Sequence, residues 1–121
     1  MKTAFLLASI LTLSATAPVF GARHNRLVKA EPAVESTVTK SPAEIRLWFK
    51  EPPELAVSSI KVADADGKAF ATGEVKATDD KLSVAAPVTA PLPDGRYTVT
   101  WKTAGADGHV IRGSFGFTVG R

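Results

Sequence analysis

Beyond residue 21 the apolar positions recur at every second residue in short runs, and no stretch keeps helical spacing long enough to predict a helix. Ile45, Leu47 and Phe49 alternate with Arg46, Trp48 and Lys50 until Glu51-Pro52-Pro53 stops the run. Ile60 and Val62 share a face of the segment 58–63, which ends at the turn signal Asp64-Ala65-Asp66-Gly67. Segments 74–77 and 82–85 flank Thr78-Asp79-Asp80-Lys81 as the arms of a hairpin. After Asp94-Gly95, Tyr97, Val99 and Trp101 alternate with threonines, and Phe115, Phe117 and Val119 alternate with Ser114, Gly116 and Thr118. With residues 26–31 as a first strand ended by Pro32, this makes six or seven short strands with one apolar face each. The pattern predicts an all-β protein, two antiparallel sheets packed face to face. Leu47, Phe49, Val62, Tyr97, Val99, Phe115 and Phe117 should form its core.

The first residues follow a different logic. Lys2 precedes an apolar run over residues 4–13, and the small residues Gly21 and Ala22 offer cleavage positions. Residues 1–21 therefore read as a secretory signal peptide, with 22 or 23 as alternative last residues, and the run is too short to predict a spanning helix. Residues 22–121 form one domain of about 100 residues, enough for a modest core. The chain has no cysteine, so an exported domain must hold together without disulfides, and cysteine nucleophiles and thiolate metal sites are excluded. Export without disulfides, behind a bacterial type of signal, points to the periplasm. The net charge of +3 is scattered among carboxylates, with no basic cluster of the kind that binds nucleic acid. A soluble monomer is expected.

Candidate chemistry sits in Ala104-Gly105-Ala106-Asp107-Gly108-His109. The chain has two histidines, His24 and His109. Asp107 and His109 are two apart, so an extended backbone between them would send both side chains from one face toward a single ion. Gly108 permits a backbone angle that other residues resist. In a sandwich the N-terminal strand can run beside a later one and bring His24 to the same rim. Two imidazoles and a carboxylate suit Cu(II), Ni(II) or Zn(II). Cleavage after Gly21 would also expose Ala22-Arg23-His24, in which an amine, two amides and an imidazole can enclose Cu(II) or Ni(II) in a square plane. Glu51, at the end of an apolar strand, is placed to orient a ligand histidine or fill an outer coordination position. Arg112 is a candidate to hold Asp107. Trp48 points away from Leu47 and Phe49, whereas Trp101 shares the face of Val99; packing rather than capping of a site is the expectation for both.

These residues carry a resemblance. The segment from His24 through Asn25, Arg26, Leu27 and Val28 to Pro32 and Ala33 resembles the start of the CopC family of periplasmic copper-binding, copper-resistance proteins. Leu47-Trp48-Phe49-Lys50-Glu51-Pro52 resembles its second landmark, and residues 106–119 resemble its C-terminal signature, with Asp-Gly-His the most specific part. The likeness spans essentially the whole mature chain. It implies an immunoglobulin-like Greek-key sandwich of about seven strands and one high-affinity Cu(II) ion. It also implies His24, through amine and ring, with Asp107 and His109 as ligands. The family's histidine is the first mature residue, whereas here Arg23 precedes His24. An earlier cleavage displaces the amine and leaves either the ring of His24 with Asp107 and His109, or the local Ala-Arg-His chelate. Some members of that family carry a methionine-rich Cu(I) loop; here the single methionine is Met1, so no soft-ligand site can be assembled in the mature chain.

No nucleophile motif surrounds the serines, and there is no phosphate-cradling glycine loop and no His-Glu-x-x-His. The expectation is a protein that is not an enzyme: a Cu(II) carrier or buffer contributing to copper resistance or supply. The resemblance adds an inner-membrane copper transporter as the partner class. Two alternatives stand beside it. A copper oxygenase with an N-terminal histidine brace shares the amine and two rings, but it requires a broad substrate face, usually on a larger chain. A structural immunoglobulin-like module would bind no metal, and its stability would not respond to copper.

Overall fold

The computed structural model describes residues 25–120. The predicted signal segment 1–21 and His24 lie outside the described residues. Nine strands are assigned: β1 Leu27–Glu31, β2 Thr37–Val38, β3 Glu44–Phe49, β4 Ser59–Asp64, β5 Ala69–Phe70, β6 Lys76–Ala77, β7 Ser83–Pro87, β8 Gly95–Ala104 and β9 Val110–Val119, with a short 3-10 turn at Leu55–Val57. They form two sheets, ordered β1-β3-β7-β6 and β2-β9-β8-β4-β5. All pairings are antiparallel except β2 with β9.

The period-two pattern explains which face each strand buries. In β3, Ile45, Leu47 and Phe49 are buried while Arg46 and Trp48 lie on the outer face. In β8, Tyr97, Val99, Trp101 and Thr103 point inward. All seven residues expected in the core are buried. Phe49 meets Trp101 edge-on at 5.3 Å, and Tyr97 stacks on Phe117 at 5.6 Å. Trp48 caps no site. It lies on the outer face, with Lys29 4.5 Å and Arg46 4.6 Å from its ring. The indole of Trp101 packs in the core, over the backbone of Gly113.

Polar contacts close the ends of the sandwich. The Tyr97 hydroxyl donates to the Pro93 carbonyl, and burial pushes its pKa above the ordinary value. At the same end, Glu35 accepts from Gly116 N at 3.2 Å and pairs with Arg96 at 2.5 Å. Thr103, fully buried, shares a 2.7 Å hydrogen bond with Ser58, whose hydroxyl donates to the Glu54 carbonyl. That contact ties the 3-10 turn to the far end of β8. There the long β8–β9 hairpin turns over, between Ala104 and Val110.

Candidate metal site

Residues 105–109 connect β8 to β9. The Gly108 N–H donates to the Gly105 carbonyl at 3.0 Å, and Gly108 takes φ +77, a left-handed angle that any side chain would strain. Asp107 sits in this turn and closes it a second time, its Oδ1 accepting from His109 N at 3.0 Å. Its other oxygen, Oδ2, lies 3.0 Å from His109 Nδ1. The aspartate thus fixes the histidine at backbone and ring together. The His109 side chain is 68% exposed and that of Asp107 33%, so the pair faces solvent at the rim. The expected convergence of Asp107 and His109 is present, but it comes from a turn and not from an extended backbone.

Two other segments arrive at this rim. Asn25 is 4% exposed, and its side chain is bonded to the backbone at the end of β3. Its Oδ1 accepts from Glu51 N at 2.8 Å and its Nδ2 donates to Glu51 O at 3.0 Å. Gly105 packs directly against both. A Cβ built there would lie 2.9 Å from Glu51 Oε2, 3.2 Å from Asn25 Cβ and 3.7 Å from Asp107 Oδ1. The start of the described chain, the Glu51 carboxylate and the Asp107 carboxylate therefore surround one point. Glu51 reaches the rim as its place before Pro52 suggested. Arg112 lies opposite Lys102 in the β8–β9 ladder, two residues after Val110. Among the described residues, no group of three or more histidines and carboxylates converges to hold a metal. The third expected donor, His24, precedes Asn25 by one residue. The role of Asn25 was not legible in advance, because its partner is 26 residues away.

An imidazole and a carboxylate are held together at the surface, donor types that suit Cu(II), Ni(II) or Zn(II). Residues 27–120 match the CopC domain model. The chain belongs to the CopC family. Protein YobA of Escherichia coli K12 is 32% identical over 112 residues, 92% of this chain and 90% of YobA. The crystal structure of CopC from Methylosinus trichosporium OB3b superposes with a TM-score of 0.74 at 33% identity, covering 80% of this chain and 94% of that one. The copper transport protein CutJ of Bacillus subtilis is 28% identical over 99 residues, 81% of this chain but only 18% of CutJ. Family membership makes this a periplasmic, copper-associated protein of a non-catalytic class with a two-sheet sandwich fold.

Proposed function

We propose that this CopC-family protein is a Cu(II) carrier or buffer that binds one ion through the ring of His24, the carboxylate of Asp107 and the ring of His109. The observation that carries the reading is the crowding at Gly105, where Asn25, Glu51 and the Asp107 loop meet. Asn25 lies there, and His24 immediately precedes it in the sequence. The Asp107–His109 pair supplies two donors whose relative orientation is set before any ion arrives. Glu51 stands close enough to serve as an outer ligand or to orient one. The amine of His24 joins only if the mature chain starts there.

With Met1 as its single methionine and no cysteine, the mature protein handles the oxidised ion and has no Cu(I) store. The finer fold reading is the immunoglobulin-like Greek key, supported by the strand orders of the two sheets and by the Tyr97 hydroxyl bonded to a carbonyl four residues upstream. A monomer that hands copper to an inner-membrane transporter is the partner arrangement we favour. It is supported by the similarity of this domain to 18% of CutJ, a copper transport protein.

The test is the intact mass of protein purified from the periplasm, with and without one equivalent of Cu(II). A chain beginning at His24 and holding one copper supports the amine-plus-two-histidine site. A chain beginning at Ala22 with one copper calls for His109→Ala, which separates the bridged site from the local Ala-Arg-His chelate. No retained copper from either start refutes the function.

A further inference from the structure

The ladder between β1 and β3 does not end where the strands do. Leu27 lies opposite Phe49, and one step further Lys50 N donates to Arg26 O at 2.9 Å. At the next step the backbone pairing is replaced by a side chain. The Asn25 amide takes both the N–H and the carbonyl of Glu51, as a paired strand would, while its Oδ1 also accepts from Arg26 N at 3.0 Å. Its orientation is fixed by chemistry: reversed, the amide would set donor against donors at Arg26 and Glu51, and acceptor against the Glu51 carbonyl. At 4% exposure such a mismatch has no water to relieve it. No shorter or longer polar side chain reproduces all three bonds from this backbone position.

We infer that Asn25 is the positioning residue of the copper site, holding its own segment, through Arg26, and Glu51 in fixed register against the Asp107–His109 loop. It acts through the backbone of Arg26 and Glu51. Gly105 is the counterpart on the loop: the absence of a side chain lets the loop close onto Asn25 and the Glu51 carboxylate. The anchor lies at Asn25, one residue after His24 in the sequence, so it is the same wherever signal cleavage falls. Extra residues ahead of His24 alter the amine and leave the Asn25 anchor in place. This inference rests on the Cu(II) reading above.

The test compares Asn25→Ala with Val84→Ala. Val84 is buried in β7 and serves as a control for loss of stability alone. Cu(II) affinity is measured by chelator competition at a temperature where each apo protein is folded, together with the Cu(II) EPR spectrum. The expected result is at least a tenfold weaker affinity and an altered copper hyperfine splitting in Asn25→Ala, with both unchanged in Val84→Ala. A wild-type affinity and spectrum in Asn25→Ala, or an equal loss in Val84→Ala, overturns the inference while leaving the copper site standing. Failure of the wild type to bind Cu(II) overturns both. If Asn25→Ala does not fold, hydrogen exchange of the wild type decides. Copper should slow the Arg26 and Glu51 amides, which both donate to Asn25, and no change in either refutes the coupling.

Discussion

Replacing Gly113 with alanine tests the strand register that places the metal loop. Gly113 lies opposite Trp101 in the β8–β9 ladder, and the indole covers it: an added Cβ would sit 2.4 Å from Trp101 Cζ2 and 2.7 Å from Cε2. Carbon atoms in contact prefer about 3.5–4.0 Å, so the ring must move by about 1 Å or more. It has little room, being 7% exposed with its edge against Phe49, itself 2% exposed. Overpacking of this kind costs about 1–3 kcal/mol. For a domain near 100 residues each kcal/mol lowers Tm by about 4–8 °C, so a 2 kcal/mol cost predicts a fall of roughly 8–16 °C. Thermal unfolding of the apo protein followed by circular dichroism measures it. Cu(II) binding should persist in the folded variant, because the pairing of Ala104 with Val110 that closes the loop is untouched. A Tm within about 2 °C of wild type would refute the reasoning. It would mean that the indole does not lie over Gly113, and the register fixing residues 105–109 would fall with it.

Three further outcomes follow from the same geometry. His109→Ala and Asp107→Ala should each weaken Cu(II) binding by about 10–100-fold in a competition titration, Asp107→Ala because it removes both a donor and the group that orients His109. Glu51→Gln should keep the apo fold, since Asn25 holds the Glu51 backbone and not its carboxylate, while lowering Cu(II) affinity by about tenfold. Glu35→Gln tests pH dependence at the opposite end of the sandwich. The hydrogen bond and charge of Arg96 and the Gly116 N–H hold the Glu35 carboxyl below its ordinary 4.5, against a smaller opposing effect of desolvation. Its contribution is therefore present above pH 4.5 and is lost as pH falls through the lower folded value. The variant should unfold at a lower urea concentration than wild type at pH 7, with the difference closing in acid. An equal gap at pH 7 and in strong acid would contradict this.

The strands were legible because alternation is local: Ile45, Leu47 and Phe49 declare a buried face without reference to any partner. The same rule sorted Trp48 from Trp101. The two-residue strands β2 and β5 carry no such signal, since a pair of residues cannot display a period, and their pairing comes from neighbours already in place. Ser83 to Ala86 are buried on both faces, so their alternation is hidden. In the β8–β9 loop, Asp-Gly-His announced two side chains that meet, but the turn that joins them depends on the left-handed angle at Gly108 and on an aspartate bonding its own backbone. The spacing rule brought Asp107 and His109 together, but the meeting comes from a turn and not from the extended backbone it assumed. Asn25 and Gly105 were invisible for a different reason. Their roles exist only when segments far apart in sequence close on one point, and neither residue type signals that by itself.

In the proposed site one Cu(II) bridges His24 and the β8–β9 loop. The most direct measurement is EPR of the purified mature protein at one equivalent of Cu(II), recorded for the wild type and for His109→Ala. The account predicts a single tetragonal Cu(II) signal with imidazole nitrogen coupling, and in His109→Ala a changed spectrum with one coupled imidazole fewer. An identical spectrum in both proteins would confine copper to the N-terminal segment, and the absence of a protein-bound signal would remove the site altogether; either result contradicts the account.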